Sequence, residues 1–388
     1  MTVDNPPTPG ATAPIRVLFV STSYPRDATD WRGIFMAHIN AALARRDGVS
    51  LMQWSPPGKI DAGIEYVATA SEAAWLAKLM ERGGISHWLR ARPVSGIAAA
   101  GKLLRLLRAV YRRIDKVDLY HINWLQCALP LPGNRKPALM TVLGNDMRLL
   151  RLPGMRTLLR RAMRGRNIAI CPNASWMEAP LRQTFGDLAA IVSVPFGIDP
   201  RWYAIRRSAD ALCMPPRWLV VTRLTANKLG PLFEWSEPLF ADGRRELHLF
   251  GPMQEQIAVP SWVNYHGSAT PEQLSGEWFP HAHGLITLSR HSEGRPQVML
   301  EAMAASLPIV ASRMPAHADI VMDDATGALC DTPADYANAL AMLEQADNNM
   351  QFGNAARAWV AREIGTWDDC AGRYAAIYRH LLEQPAHG

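Results

Sequence analysis

Residues 283–313, HGLITLSRHSEGRPQVMLEAMAASLPIVASR, contain the pattern from which we infer the fold class. The apolar run 284–288 has the length and β-branched content of a buried strand. A polar turn follows, and Pro296 then precedes an apolar-periodic run typical of a helix, where the first-turn N–H lacks an intrahelical partner in any case. Residues 307–311 form a second short apolar run. The segment therefore predicts a strand, a loop with an acidic residue and a helix N-terminus, as in α/β proteins.

Two glutamates stand on either side of the predicted helix start. Glu293 lies just before the helix, and Glu301 lies about two turns into it. A helix N-terminus offers free N–H donors and a positive dipole end, which suit a phosphate group. Glu293 could accept hydroxyl groups of a sugar there, and Glu301 those of a ribose farther along. The alternative is that Glu293 caps the helix and Glu301 is solvated on its exposed face.

This segment resembles the E-x7-E signature of family 4 glycosyltransferases, because residues 293–304 match the form E-G-x-P-x-V-x-L-E-A-M-A. The resemblance spans most of residues 15–383 and is strongest in the second half. It implies the GT-B fold, an α/β architecture of two Rossmann-like domains that face each other across a cleft. It also implies transfer of a sugar from a nucleotide-sugar donor with retention at the anomeric carbon.

The resemblance places further donor-binding residues along the chain. Arg223, at the end of strand 218–222, and Lys228 correspond to a basic pair on the donor's diphosphate, where cations neutralise the leaving group without a metal. No metal and no cofactor is therefore expected. Gly294 belongs to the same signature, and Arg295 could add a phosphate contact or point to solvent. Gly33 ends the loop S-Y-P-R-D…W-R-G, where a missing Cβ lets backbone N–H groups approach a ligand; the alternative is a plain connector.

Two residues at strand ends of the first half are candidate catalytic groups. His121 ends strand 117–122, where family members carry H-x-H, but this chain has Asn123 at the second position. Asp146 lies in Gly144-Asn145-Asp146, after strand 138–143, and ligands of open α/β sheets bind at such ends. Its carboxylate could orient or deprotonate an acceptor hydroxyl. The alternatives are a satisfied polar histidine and an aspartate that caps the next helix.

The resemblance also sets the expected domain boundaries. Residues 1–14 are Pro/Thr/Ala-rich and are predicted to form a disordered tail. Residues 15–196 are expected to form an acceptor-binding domain, and residues 197–365 a nucleotide-sugar-binding domain. The terminal helix 366–383 is expected to cross back onto the first domain.

Composition restricts the class of protein. The 388 residues are 48% hydrophobic and 20% charged, as in soluble globular enzymes, and exceed a single ordinary core. No run of about 18 uncharged apolar residues occurs, so no transmembrane helix is expected. Five scattered cysteines without a CxxC pair indicate reduced thiols, and hence a cytoplasmic protein without a zinc site.

Positive charge is concentrated in the first half of the chain. Residues 1–200 hold 26 Lys and Arg against 14 Asp and Glu, whereas residues 201–388 hold 15 against 21. This half could face anionic lipid, a phosphorylated acceptor or nucleic acid, and the last is not expected because no nucleic-acid module accompanies it. The basic helix 97–114 could lie at the inner face of the cell membrane or pack its leucines on the sheet. The arginine-rich residues 148–166 suit a pyrophosphate-linked lipid acceptor or a solvated helix face.

Together these features predict a glycosyltransferase that moves a hexosyl unit from a nucleotide-diphosphate sugar to a glycan or lipid-linked acceptor in cell-surface polysaccharide synthesis. Peripheral membrane association is part of this interpretation. Three alternatives remain open: an inverting transferase with Asp146 as the base, a nucleotide-sugar epimerase on the same fold, and a non-catalytic sugar-nucleotide scaffold at the membrane.

Overall fold

The computed structural model describes residues 13–27, 30, 32–212, 214–291 and 293–384, apart from the side chains of Ser86 and Arg90. The predicted tail lies outside this range except for its last two residues. Cys213 also lies outside it. The other four cysteines are buried and form no disulfide among the described residues.

A seven-stranded parallel sheet forms the first domain, with strand order β3-β2-β1-β4-β5-β6-β7. The central strands are buried on both faces, which explains their continuous apolar sequences. The strands are β1 Ile15–Val20, β2 Val49–Trp54, β3 Ile64–Tyr66, β4 Leu119–Asn123, β5 Ala138–Val142, β6 Ile168–Pro172 and β7 Ala190–Ile191. The helices are α1 Ile34–Ala44, α2 Ala70–Glu81, α3 Gly84–Ala91, α4 Pro93–Arg113, α5 Gly144–Leu149, α6 Met155–Met163 and α7 Glu178–Phe185.

The second domain repeats the same winding in a six-stranded parallel sheet, with order β10-β9-β8-β11-β12-β13. Its strands are β8 Arg217–Val221, β9 Glu246–Phe250, β10 Val263–Gly267, β11 Gly284–Thr287, β12 Ile309–Ser312 and β13 Gly327–Cys330. The helices are α8 Pro200–Ala204, α9 Ala226–Leu229, α10 Leu232–Phe240, α11 Pro271–Gln273, α12 Gln297–Ala304, α13 Pro315–Ala318, α14 Pro333–Leu343 and α15 Ala346–Glu363.

The last helix, α16 Trp367–Glu383, leaves the second domain and packs on the first. Its side chains Tyr374, Tyr378 and Leu381 are buried against β1, α1 and β4. The two connections between the domains lie side by side, since the N–H of Ile198 donates to the carbonyl of Gly365 at 3.0 Å. The first domain is therefore completed by the end of the chain.

In both domains the strand order reverses at one point, between β1 and β4 and between β8 and β11. In open parallel sheets, ligands bind outside the carboxyl ends of the strands at such a point. Arg223 follows β8, and the loop with Glu293 follows β11. The topology therefore places these two sequence-predicted residues at the expected ligand crevice of the second domain.

The basic helix α4 packs as a domain helix on one side. Leu103, Leu107 and Val110 are buried in the core of the first domain. The other side exposes cations, and near the start of the helix Val94 is 85% and Ile97 67% exposed. Across the described residues, no helix has both the length and the apolar character that a bilayer crossing requires.

Candidate active site

The loop between β11 and α12 carries Glu293 into contact with Lys228. The Lys228 Nζ donates to a Glu293 carboxylate oxygen, and the two side chains are only 12% and 19% exposed. Lys228 is held in α9 by Thr225, whose Oγ1 accepts from the Lys228 backbone N–H at 3.2 Å. Because the pair is shielded from water, its attraction is stronger than that of a surface ion pair.

The charge of Lys228 is affected by opposing contributions. Burial lowers the pKa of Lys228, Glu293 raises it through an ion pair and a hydrogen bond, and the nearby Arg223 lowers it further. Arg223 itself is a neighbour of the pair, and its Nη1 donates to Gln254 Oε1 at 3.3 Å. The sequence-predicted basic pair is thus brought to one place with Glu293. Together these groups form an electropositive site with a single carboxylate, which suits a diphosphate beside a sugar.

Glu301 lies on α12 in a different environment. Burial raises the pKa of Glu301 from 4.5 to about 8, Asp199 raises it further and Arg201 lowers it. Among the described residues its carboxylate has no hydrogen-bond partner, although the residue is half-buried. Its predicted contact with a ribose stays a prediction. A half-buried carboxylate without a protein partner can accept a hydrogen bond from a ligand hydroxyl.

The two domains touch at the backbone of the Glu293 loop. A Cβ added to Gly144 of the first domain would lie 2.5 Å from the Glu293 carbonyl carbon and the Gly294 nitrogen. A Cβ added to Gly294 would lie 2.4 Å from Oδ1 of Asn173. Trp176 Nε1 donates to the Gly294 carbonyl oxygen at 2.9 Å. Gly144 is therefore required by the close approach of two backbones and Gly294 by the Asn173 side chain, and the cleft is closed at this point.

Arg295 points away from the predicted phosphate position. Its guanidinium forms an ion pair with Asp319, Nε lies 3.0 Å from Asp319 Oδ2, and the two side chains are 7% and 5% exposed. Asp319 also accepts from the Trp176 backbone N–H at 3.2 Å and from the hydroxyl of Ser175. A phosphate contact for Arg295 would require this ion pair to open, so we assign Arg295 to the domain interface.

His121 is buried within the first domain, which does not favour its predicted part in catalysis. It is fully buried, its Nδ1 is bonded to the Tyr378 hydroxyl at 2.5 Å and its Nε2 to the Thr141 hydroxyl at 2.8 Å. Burial lowers the pKa of His121 to about 3. The side chain is a neutral polar link between β4, β5 and α16.

Asp146 caps the helix in which it lies. Its Oδ1 accepts from the Leu125 N–H and its Oδ2 from the Leu143 N–H, both at 2.8 Å, and the residue is 1% exposed. Burial raises the pKa of Asp146 to about 7, although the backbone donors oppose that shift. Each oxygen thus accepts one backbone N–H group, and the residue is buried at the start of the helix. The predicted alternative of a helix cap is the one observed.

Gly33 precedes α1 with a φ of 71°, and a Cβ there would lie 2.4 Å from Ser23 Oγ. The glycine is thus required by the turn. Its predicted contact with the donor stays a prediction.

Sequence reasoning missed the interface residues Asn173, Ser175, Trp176 and Asp319. One signal was available, because Ser175 and Glu178 have the S-x-x-E spacing of a helix N-terminus, where a carboxylate is favourable. Nothing in that pattern says that the carboxylate comes from the other domain. Within the described ranges, no group of three or more His, Cys, Asp or Glu side chains is arranged to hold a metal ion.

Comparison with solved structures identifies the architecture. The chain is similar to a sucrose-phosphate synthase from Thermosynechococcus elongatus, with a TM-score of 0.68 and 17% identity over 95% of this chain and 99% of that one. The fold is GT-B. HepE from Anabaena in complex with UDP-glucose is similar with a TM-score of 0.62 and 15% identity, over 94% of this chain and 100% of that one. A glycosyltransferase from Rickettsia africae is similar with a TM-score of 0.63 and 12% identity, over 96% of this chain and 100% of that one.

The sequence comparisons cover less of the chain. Residues 216–345 match the family described as Glycosyl transferases group 1. This match contains β8 to α14, and so includes Arg223, Lys228, Glu293 and Glu301. No curated protein sequence matches the chain significantly.

Proposed function

We propose that this protein is a glycosyltransferase that moves a hexosyl unit from a nucleotide-diphosphate sugar to a glycan or lipid-linked acceptor, with retention, in cell-surface polysaccharide synthesis. One observation carries the proposal. In the domain matched to the glycosyl transferases, Lys228 and Glu293 form a shielded ion pair at the strand-order reversal, directly beside the first domain.

In this proposal the diphosphate binds between Arg223, Lys228 and the N-terminus of α12. As the bond from the anomeric carbon to the diphosphate oxygen breaks, the electron pair stays on the leaving group, whose growing charge these groups stabilise. The acceptor oxygen forms the new bond and its proton passes to the departing diphosphate. Glu293 holds the sugar hydroxyls, and Glu301 accepts from the ribose. The proposal assigns no residue to a metal ion, and the charge neutralisation that it describes does not use a metal ion.

The contact of Gly144 with the Glu293 loop supports closure of the first domain over the donor. A closed site excludes water, which limits hydrolysis of the activated sugar. The inverting alternative would need Asp146 as the base, and the burial of this residue and its two backbone N–H donors favour a helix cap instead.

Donor binding and transfer test the proposal. A thermal-shift screen of nucleotide sugars should reveal at least one donor, and acceptor trials with that donor should give a product whose anomeric configuration, measured by NMR, matches the donor. Lys228→Ala and Glu293→Ala should each lower turnover more than about tenfold, which corresponds to an activation free energy higher by at least about 1.4 kcal/mol. Lys78→Ala, at an exposed site on α2, is the matched control. Near-normal transfer in both site variants, with a native circular dichroism spectrum, would remove the assigned roles.

We also propose that the protein is cytoplasmic and associates with the inner face of the membrane through the start of α4. The support is the exposure of Val94 and Ile97 near the cations Lys102, Arg105 and Arg108, since an apolar tip with basic flanks suits anionic headgroups. Vesicles with anionic phospholipid should bind the wild-type chain more than zwitterionic vesicles do. The double variant Val94→Asp, Ile97→Asp should bind both vesicle types equally. Equal binding of the wild-type chain to both vesicle types would contradict the proposed membrane association.

A further inference from the structure

A cavity of about 400 Å³ opens on the first domain beside the interface. Its wall is formed by the end of α5, the loop after it, the start of α6, the segment before α7 and α7 itself. Three arginines, Arg148, Arg151 and Arg156, line it together with Trp176. This volume lies in the lower part of the range of about 300–1,000 Å³ that is typical of small-molecule sites.

The charge of this cavity is not neutralised by the protein. No Asp or Glu occurs in residues 147–177. Arg156 Nε donates to the Leu150 carbonyl oxygen at 3.0 Å, which holds the guanidinium in place and leaves its two terminal nitrogens available. None of the three arginines forms an ion pair with a described carboxylate, whereas Arg160 in the same segment pairs with Asp187 and does not line the cavity.

The cavity adjoins the candidate donor site. Trp176 is part of its wall, and the same indole N–H donates to the Gly294 carbonyl oxygen. Arg148 belongs to the helix α5, which begins at Gly144, against the backbone of Glu293. Arg148 also acts through its charge on the loop between β11 and α12, because it contributes to the lowered pKa of His291, in which burial is the main cause. A group bound in the cavity would thus lie on the acceptor side of the cleft.

We propose that Arg148, Arg151 and Arg156 bind a phosphate or diphosphate group of the acceptor. This inference rests on the proposed function and specifies its acceptor. Arginine binds phosphate oxygens in a bidentate manner, and three unpaired guanidinium groups around one cavity favour a multiply charged anion over a single carboxylate. The exposed Leu152 and Leu158 lie in the same segment, at 51% and 53% exposure. An apolar surface beside a phosphate site suits an alkyl chain, so the acceptor is a lipid-linked sugar diphosphate.

Binding of inorganic pyrophosphate tests the site without knowledge of the acceptor sugar. The Lys228→Ala chain is used as the background because the donor site would also bind this probe. Calorimetric titration should show binding to this background, and addition of Arg148→Gln, Arg151→Gln and Arg156→Gln should weaken it at least about tenfold. Arg112→Gln, an exposed cation at the far end of α4, is the control and should leave it unchanged. Unchanged binding in the triple variant, or an equal loss in the control, would overturn the proposal.

Transfer assays then distinguish a lipid-linked acceptor phosphate from a soluble one. With the wild-type chain and a donor found by thermal shift, a short-chain alkyl glycosyl diphosphate should be a better acceptor, in kcat/KM, than the matched alkyl glycoside without phosphate. The kcat/KM for the alkyl glycosyl diphosphate should also exceed the kcat/KM for the soluble glycosyl phosphate. The triple variant should lose this preference while donor binding stays normal. Equal use of the charged and uncharged acceptors would overturn the proposal, whereas failure to bind any nucleotide sugar would instead overturn the proposed function.

Discussion

Asp319 of the second domain accepts a hydrogen bond from the backbone N–H of Trp176 in the first domain, at 3.2 Å. The same carboxylate holds Arg295, two residues after Glu293. Asp319 therefore adds a link between the Glu293 loop and the first domain, beside the contacts that Trp176 and Gly144 make with that loop. In the proposed function this link makes Asp319 a positioning residue for Glu293.

Replacement of Asp319 should destabilise the protein strongly. Asp319→Ala leaves the shielded Arg295 without its partner, and loss of one partner of such a pair costs about 3–5 kcal/mol. Chemical denaturation measures this cost. Asp331→Ala is the control and should cost at most about 1 kcal/mol, because it breaks an ion pair with Arg313 in which the aspartate is 60% exposed.

Ser175→Ala removes one interdomain hydrogen bond and keeps the Arg295 ion pair. It should lower kcat/KM about fivefold, since about 1 kcal/mol of interaction is lost. Full activity in Ser175→Ala would argue against a positioning role.

Gly144→Ala should open the cleft. Its Cβ would meet the Glu293 backbone at 2.5 Å, which neither domain can avoid without moving apart. We expect a larger radius of gyration by small-angle scattering in the presence of donor, and a turnover reduced at least about tenfold. Gly133→Ala is the matched control, because no atom lies within 4 Å of its added Cβ. A compact and active Gly144→Ala variant would show that the two backbones do not meet in solution.

Glu301 should make the stability of the protein fall with rising pH. Its pKa in the folded state, about 8, lies above the ordinary value of 4.5, so the folded state binds the proton more tightly than the unfolded state does. The resulting stability is complete below pH 4.5 and is lost as the pH rises through 8. Glu301→Gln should therefore have a Tm close to wild type at pH 5 and a higher one at pH 8.5, by about 2–4 °C per kcal/mol. Exposed Glu277→Gln should show no such difference, and parallel Tm curves for Glu301→Gln and wild type would refute the assignment.

His121→Leu should affect stability and leave the chemistry intact. It leaves the buried hydroxyl of Tyr378 without its His121 partner, at about 1–3 kcal/mol, whereas the Thr141 hydroxyl keeps its bond to the Tyr374 hydroxyl at 3.1 Å. Turnover per folded molecule should stay within about twofold of wild type, whereas loss of a general base costs about 10²–10⁴-fold. Tyr378→Phe, which removes one of the same hydrogen bonds, should behave similarly. A large loss of kcat in His121→Leu with an intact fold would restore a catalytic role.

The sequence predicted the parallel sheets well because their strands are buried on both faces. Residues 138–143 are predicted as a strand and contain Ala138–Val142, and the segment 283–313 forms strand, loop and helix as expected. Two edge strands were missed. Ile64–Tyr66 has only three residues, and Gly327–Cys330 has four and begins at a glycine. Such short edges are defined by pairing with a neighbour rather than by their own pattern.

The side-chain roles were harder to predict than the elements. His121 and Ile122 are adjacent in β4 but face opposite sides of the sheet, and His121 points toward α16, which lies about 250 residues later in the chain. Arg295 pairs with Asp319, which is distant in the sequence, and Asp146 accepts backbone N–H groups of Leu125 and Leu143, which no side-chain pattern reveals. A motif places such residues near the crevice, but only tertiary packing decides which of them are free to meet a ligand.

The position of α16 has a consequence for biosynthesis. A nascent chain that ends before Thr366 already contains every strand of both sheets, but the first domain still lacks the helix whose Tyr374, Tyr378 and Leu381 complete its core. Domains usually fold as they emerge, from the N-terminal one onward. Here we expect the contiguous residues 197–365 to become protease-resistant on the ribosome before the first 196 do, so the order of maturation runs opposite to the order of translation.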